Sequence, residues 1–420
     1  MTRRYFSDRS LPQERYLPGI GQRPPESDLH APMLSPDRWM ANDAYLWGVD
    51  LFNAGYYWEA HEAWEAAWHA APGDTQKSFL QALVQYAAGM LKFRSGPKKT
   101  AAVLAERSLA RLEGVKAQVE QPPYMGCDLG SIIAVLRRMY DGEVLETADA
   151  QLVLSTRSRD YLGAVTDRWT QPECTRYLER DGYLVADTPE FRAYYGGHYL
   201  LLDRAPQPTQ LEMWFKRWED ERGALPGTSR YLVWEDEPDV TWDAPDLGDG
   251  TVYQRIPTMV RMGAIDRVPP PEGIVLKRIS NDDDWAKLVA FGSELYVPEH
   301  GDAYREFARW RYDQYRRALR HSGGSWWAAF AGDELVGSLG LFESPGLLRF
   351  QEVQVAESQR KRGIATALLS RALASAHVRF KKATAVICPE EGSGAERIYQ
   401  RLGFRTISVG HWVMRSAKTE

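Results

Sequence analysis

The chain has 420 residues, more than one ordinary core holds, so two to three domains are expected. Hydrophobic residues at 44% and charged residues at 26% are the composition of a water-soluble globular protein, and a net charge of −5 excludes bulk attraction to nucleic acid or to a membrane surface. No apolar run reaches membrane-spanning length and no secretion signal is visible, so Cys127, Cys174 and Cys388 are expected as free thiols of a cytoplasmic protein, without a disulfide frame or a zinc site.

Residues 1–37 are rich in Pro, Arg and Asp and lack periodicity, which predicts an extended arm. From 38 to 145 the apolar spacing is helical. Helices are expected at 39–54, 56–70, 76–93, 98–118 and 131–140, with Gly or Pro at the junctions. Short connections between amphipathic helices mean an antiparallel all-α helical bundle.

The second of these helices carries His61, Glu62 and Glu65, with His61 and Glu65 one turn apart on one face. Two carboxylates and an imidazole are ligand types for a metal. The alternative is a hydrogen-bonded network inside the bundle, completed by Gln81 and Gln85 of the next helix. Three ligands from one helix leave a metal short, so no metal is expected. Residues 52–68, which read Phe-Asn-Ala-Gly-Tyr-Tyr-Trp-Glu-Ala-His-Glu-Ala-Trp-Glu-Ala-Ala-Trp, followed by the glutamine-bearing 79–85, resemble the helical family called domain of unknown function 309. The resemblance implies a fold over roughly a hundred residues and no chemistry.

Residues 146–175 read as a linker helix. From 176 to 270 short apolar runs at 182–186, 198–202, 231–234 and 253–262 predict strands, with an amphipathic helix at 207–222 and no phosphate-binding loop. Pro269-Pro270-Pro271-Glu272-Gly273 marks a boundary. The remaining span, 271–420, is expected to run strand (275–279), two helices (282–295, 303–320), three strands (325–330, 334–342, 347–355), helix, strand (383–388), helix (394–402), strand (404–414).

Between the strand ending at 355 and the next helix lies Arg360-Lys361-Arg362-Gly363-Ile364-Ala365. A basic turn opening a helix presents unpaired N–H groups and the positive end of the helix dipole, which suits a phosphate or pyrophosphate. That turn in this element order, with Ala395-Glu396-Arg397-Ile398-Tyr399-Gln400-Arg401-Leu402-Gly403-Phe404 near the end, resembles the GNAT superfamily of acyl-CoA-dependent N-acetyltransferases. The resemblance covers about residues 274–415. It implies a GNAT-type α+β fold with a mixed, mostly antiparallel sheet after the bundle. The span 176–270 looks like a degenerate GNAT-like half.

In that family acetyl-CoA lies in a V opened between the fourth and fifth strands. The resemblance therefore implies that Val353, Gln354 and Val355 pair with pantetheine, that Arg360, Lys361, Arg362, Gly363, Ile364 and Ala365 cradle the pyrophosphate, and that Tyr399 protonates the leaving thiolate. An Asn the family often places seven residues before this Tyr is Gly392 here. Acyl transfer to an amine needs a general base. Glu352 is the candidate and Glu343 the runner-up; strand alternation lets only one of Gln351 and Glu352 face the cleft. A strand N–H near Val355 would hold the oxyanion. No Ser or Cys is placed as a nucleophile, so transfer is expected to be direct, with Cys388 a small buried residue. Trp214, Trp218, Tyr231, Trp234 and Tyr253 are candidates to line an acceptor pocket. The acceptor stays open among small amine, antibiotic, peptide N-terminus and protein lysine. Two other classes also stay open: a CoA-ligand sensor that signals through the bundle to a protein partner or second copy, and a metal hydrolase built on His61, Glu62 and Glu65.

Overall fold

The computed structural model describes residues 4–6, 9–18, 31, 33–119, 123–154, 157–192, 194–222, 229–248, 250–263, 265–381 and 383–416. The chain divides into two compact units, residues 1–156 and 157–420.

The first unit is built on helices α1 (Asp43–Asn53), α2 (Tyr57–Ala70), α3 (Asp74–Ser95), α4 (Lys98–Gln118) and α5 (Leu129–Tyr140). Local chemistry sets their ends. Asn42 caps α1 by accepting from Tyr45 N at 3.0 Å, and Asp128 caps α5 by accepting from Gly130 N at 3.0 Å. Gly55 adopts φ +82° in the turn from α1 to α2, a conformation that favours glycine. Phe52, Trp64, Phe79, Leu83 and Tyr86 fill the core. A Cβ at Gly48 would meet the Trp64 ring at 2.3 Å, so this glycine lets α1 and α2 approach. Of the expected arm, residues 1–3, 7, 8, 19–30 and 32 lie outside the described residues. Its described start is pinned: Arg4 Nε, Tyr5 N and Phe6 N all donate to the buried Asp50 carboxylate at 2.7–2.9 Å. Residues 146–154 carry no helix and pack Leu152 and Leu154 into this core.

The helix of the expected linker is α6 (Leu162–Thr170), inside the second unit. That unit continues with β1 (Arg176–Arg180), β2 (Tyr183–Asp187), β3 (Tyr199–Leu202), α7 (Leu211–Arg222), β4 (Arg230–Asp236), β5 (Thr251–Arg261), β6 (Ile274–Arg278), α8 (Asp282–His300), α9 (Tyr304–Ser322), β7 (Gly324–Ala331), β8 (Glu334–Ser344), β9 (Leu347–Val355), α10 (Ile364–Arg379), β10 (Thr384–Ile387), α11 (Gly394–Arg401) and β11 (Arg405–Arg415). All strands join one sheet in the order β1-β2-β3-β4-β11-β5-β10-β9-β8-β7-β6. Only β3–β4 and β9–β10 pair in parallel, so the sheet is mixed and mostly antiparallel, as expected. Alternation along β7 sets the layers. Trp326, Ala328 and Phe330 pack with Trp285 of α8 and with Tyr312 and Tyr315 of α9; Trp327 and Ala329 pack on the other face with Leu368, Leu369 and Leu373 of α10.

The Pro-rich punctuation at 269–273 separates two stretches of sequence but not two sheets. β11 pairs with β4 and β5, and β5 also pairs with β10. Each side of the punctuation thus contributes a strand to the other.

β11 also carries a pH-sensitive residue. His411 is buried, with Nδ1 2.6 Å from the Tyr253 hydroxyl and its ring stacked on Trp234 at 5.2 Å. Burial, with Arg255 nearby, pulls its pKa down to about 4, and burial and Arg222 do the same for His198. Unfolded histidine titrates near ~6.5, so the unfolded chain binds more protons below that pH. This stabilisation is therefore complete above pH 6.5 and is lost as pH falls towards 4. His411→Gln is expected to flatten part of the decline, read as the urea midpoint against pH; an unchanged slope would remove His411 from this account.

Candidate active site

The site starts from a mismatch in strand length. β9 pairs with β10 only at Leu347↔Thr384, Leu348↔Ala385 and Arg349↔Val386. β10 then ends, held on its other edge by β5 through Ile387↔Met259. β9 runs on through 350–355 with no strand on that edge among the described residues. Backbone groups left there need a partner, and an extended ligand can supply one.

The free stretch is bulged. On β8 the step from Ser338 to Gly340 is two residues, while the facing step on β9, from Gln354 to Gln351, is three. Glu352 takes up the difference with φ +52°, which costs a non-glycine residue about 1–2 kcal/mol. Such strain collects at functional sites. The bulge corrects the expectation that Gln351 and Glu352 face opposite ways. Gln351 Nε2 donates to the Tyr315 hydroxyl at 3.4 Å, and that hydroxyl donates to Glu352 Oε1 at 2.9 Å. Gln354 Nε2 donates to Glu352 Oε2 at 2.7 Å. Behind them the buried Arg311 guanidinium lies 4.1 Å from the Tyr315 ring centre and 4.8 Å from that of Tyr194. Glu343 is already engaged, accepting from Arg379 Nη2 at 2.6 Å.

After β9 a short 3-10 turn leads into the exposed Arg360, Lys361, Arg362 and Gly363. Lys361 has φ +63° and Gly363 φ +87°, which turns the chain sharply into α10. Gly363 is the N-cap and makes no side-chain cap, so no side chain there claims the first-turn amides at Ile364 and Ala365. A Cβ at Gly363 would meet nothing within 4 Å, so a ligand can approach the backbone. Arg362 Nη2 donates to Glu272 O at 3.0 Å, which fixes one cation beside the turn.

Tyr399 lies on α11, whose start is capped by Ser393 accepting from Glu396 N at 3.1 Å. The ring is buried in the core shared with α10, 6.1 Å from Phe404, and burial raises the phenol pKa. Gly392 donates to Glu396 Oε2 at 2.7 Å and accepts from Arg397 at 2.9 Å, so the residue at the expected Asn position serves the helix start. Burial also raises the Cys388 thiol, which keeps it neutral near pH 7.

On the α6 face a cavity of about 210 Å³ is lined by residues including Asp167, Tyr231, Glu235, Arg349, Gln351 and Cys388. Glu235 holds α6 on the sheet. It accepts from Ser408 at 2.6 Å, Thr258 at 2.7 Å, Ala164 N at 2.7 Å and Gly163 N at 3.3 Å. A Cβ at Gly163 would sit 2.2 Å from Thr258 Oγ1, so only glycine allows this approach. Of the five aromatics expected at an acceptor pocket, Tyr231 and Trp234 line this cavity. Trp214, Trp218 and Tyr253 instead join the core under α7, with Phe215 and Val413. Arg349, Asp167, Arg311 and Tyr315 were not singled out from the sequence. For Arg349 a signal existed: it is the one charge in the apolar run Leu347-Leu348-Arg349-Phe350.

In the first unit His61 Nδ1 lies 3.6 Å from Glu62 Oε1 and 4.0 Å from Glu65 Oε2. The ligand atoms of the three lie within 4.8 Å of one another. All three are half-exposed, and Gln85 Oε1 makes no hydrogen bond among the described residues, so the cluster is not the enclosed network expected with the glutamines. His61→Ala and Glu65→Ala are each expected to lower stability by about 1 kcal/mol, since the contacts of His61 Nδ1 with the two carboxylates, at 3.6 and 4.0 Å, are longer than hydrogen bonds. Metal content by elemental analysis is expected to stay unchanged; stoichiometric metal lost in both variants would make this a metal site.

Two family models match the chain. Residues 45–104 match the Domain of unknown function (DUF309), and residues 296–411 match the Acetyltransferase (GNAT) domain. No curated protein matches. Among solved structures, a functionally unknown conserved protein from Staphylococcus epidermidis is similar at TM-score 0.48 and 11% identity, over 58% of this chain and 94% of that one. A GCN5-related N-acetyltransferase from Kribbella flavida is similar at TM-score 0.40 and 14% identity, over 60% and 93%. One from Sphaerobacter thermophilus is similar at TM-score 0.39 and 15% identity, over 58% and 83%.

Proposed function

We propose that the second unit transfers an acyl group, acetyl in the first instance, from its CoA thioester directly to an amine. The observation that carries this reading is the free, bulged edge of β9 running into an exposed basic turn and an uncapped helix start. A long thioester with a pyrophosphate at one end has a place for each part. Pantetheine would pair with Val353, Gln354 and Val355. The pyrophosphate would rest on the turn from Arg360 through Lys361, Arg362 and Gly363 to Ile364 and Ala365. Glu352, held by Tyr315 and Gln354, would take the proton of the attacking amine. A β9 N–H near Val355 would hold the oxyanion. Tyr399, whose raised pKa keeps its proton at neutral pH, would pass it to the departing thiolate.

The middle strands form the counterpart half of the same architecture, since β3 and β4 also pair in parallel. Between β3 and α7 the chain reads Asp203-Arg204-Ala205-Pro206-Gln207-Pro208. Pro206 and Pro208 remove two N–H donors from this segment, and it lacks the basic run of the other turn, so we assign the pyrophosphate role to the turn before α10. We place the protein in the cytoplasm and assign the first unit to contact with a protein partner or a second copy. Among the described residues, no helix is long and apolar enough to cross a membrane. Gly392 favours a second reading, in which a CoA-type ligand is held without turnover; release of free thiol from acetyl-CoA in the presence of amines separates the two.

Acetyl-CoA is expected to raise the melting temperature, because a ligand that binds only the native state stabilises it by about 2.7 kcal/mol at a hundred times its Kd. Gly363→Glu should abolish the shift by adding bulk and negative charge at the turn. Gly363→Ala, which shares the backbone strain without the charge, should keep a shift. A Gly363→Glu protein that binds acetyl-CoA like wild type would overturn the pyrophosphate assignment.

A further inference from the structure

We propose that the acceptor is a small amine carrying a carboxylate, and that Arg349 receives the carboxylate in the cavity on the α6 face. The proposal rests on the acyl-transfer reading and names the class of its second substrate. Arg349 is only 5% exposed and lines the cavity. Its Nη1 donates to Cys388 Sγ at 2.6 Å and to Thr166 Oγ1 at 3.2 Å, and both partners are uncharged groups. The nearest carboxylate oxygen, Asp167 Oδ1, lies 3.7 Å from Nη2, an ion pair without a hydrogen bond. Asp167 also accepts from Gln171 through its other oxygen at 3.2 Å. Glu235 is occupied by four donors of its own. Nε of Arg349 has no hydrogen-bond partner among the described residues.

A buried guanidinium is costly unless an anion pairs with it. Its planar fork fits a carboxylate with two parallel hydrogen bonds. Here the guanidinium lines the cavity with no carboxylate in hydrogen-bond contact, and its buried Nε has no partner among the described residues. The remaining walls, among them Tyr199, Leu201, Tyr231, Ile256 and Trp412, ask for an apolar body behind the acid group. At about 210 Å³ the cavity is smaller than the roughly 300–1,000 Å³ of drug-sized sites, which favours a molecule of amino-acid size over a peptide chain.

The position also connects to the chemistry. Arg349 is the last residue of β9 paired with β10, and the open stretch begins with the next residue. Glu352 lies three residues on, at most about 10 Å along a strand. Gln351, on the cavity wall, reaches the same Tyr315 hydroxyl as Glu352. A molecule anchored by its carboxylate at Arg349 therefore brings an amine a few bonds away towards Glu352.

The test compares an acid with its amide. In calorimetric titration of the full chain, 3-phenylpropionate is expected to bind at least about tenfold more tightly than 3-phenylpropanamide. In Arg349→Gln this preference should vanish, and in Arg349→Lys it should survive in part. With acetyl-CoA, phenylalanine, leucine and tryptophan should release free thiol faster than their amides. Equal binding of acid and amide, binding of neither, or an undiminished preference in Arg349→Gln would overturn the proposal. The acid–amide comparison in the wild type needs no variant to fold. Failure of the acyl-transfer reading shows separately, as absence of thiol release from acetyl-CoA with every amine tried while the acid–amide preference in binding persists.

Discussion

Residues 271–420 produced alone are expected not to fold. Both neighbours of β11 in the sheet, β4 and β5, lie before residue 271, and so does the β5 partner of β10. The fragment would keep β11 with no strand to pair with and would expose the edge of β10, and unpaired edges drive aggregation. It would also lose Met259 and Ile265 from the core under α10. Circular dichroism should show no cooperative thermal transition for 271–420. Co-expression with 157–270 should restore one, and 157–420 should fold and retain the acetyl-CoA shift without the first unit. A monomeric 271–420 that melts cooperatively and binds acetyl-CoA would show that β11 can re-pair beside β10, and the exchanged strand would lose its structural importance.

Tyr399→Phe is expected to lower turnover on the order of ten- to a thousand-fold, with acetyl-CoA affinity little changed, as loss of a general acid does. Phenylalanine preserves the ring that packs on Phe404, so stability should move little. The readout is thiol release under single-turnover conditions, which excludes product release from the comparison. Unchanged single-turnover rates would reduce Tyr399 to a core aromatic and leave the thiolate to be protonated by solvent.

The parts of this site legible in the sequence are those encoded by neighbours in the chain. The turn from Arg360 to Gly363 announces itself because a positive φ, an exposed basic run and a helix start are local features. The helices of the first unit are marked by Gly55, Gly73 and Gly96-Pro97 for the same reason. Three features stayed hidden. The bulge at Glu352 breaks the two-residue period, and nothing in Gln351-Glu352-Val353 signals a left-handed residue without a glycine. β11 reads as a strand from its own residues, but its choice of β4 and β5 depends on partners some 160 residues away. Arg349 looks like a misplaced charge until the fold sets it beside a cavity.

The exchanged strand also imposes an order in time. β4 and β5 are complete once residue 261 has been synthesised, yet their shared neighbour begins at residue 405. At roughly 5–20 residues per second the growing chain carries these two strands unjoined for on the order of ten seconds. Loop closure over such a separation is slow after synthesis as well. During that interval the edges of β4 and β5 that β11 later covers are unpaired, and unpaired edges are where another chain can add a strand. Crowded synthesis is therefore expected to favour strand-swapped pairs, seen as a dimer fraction that grows with expression level.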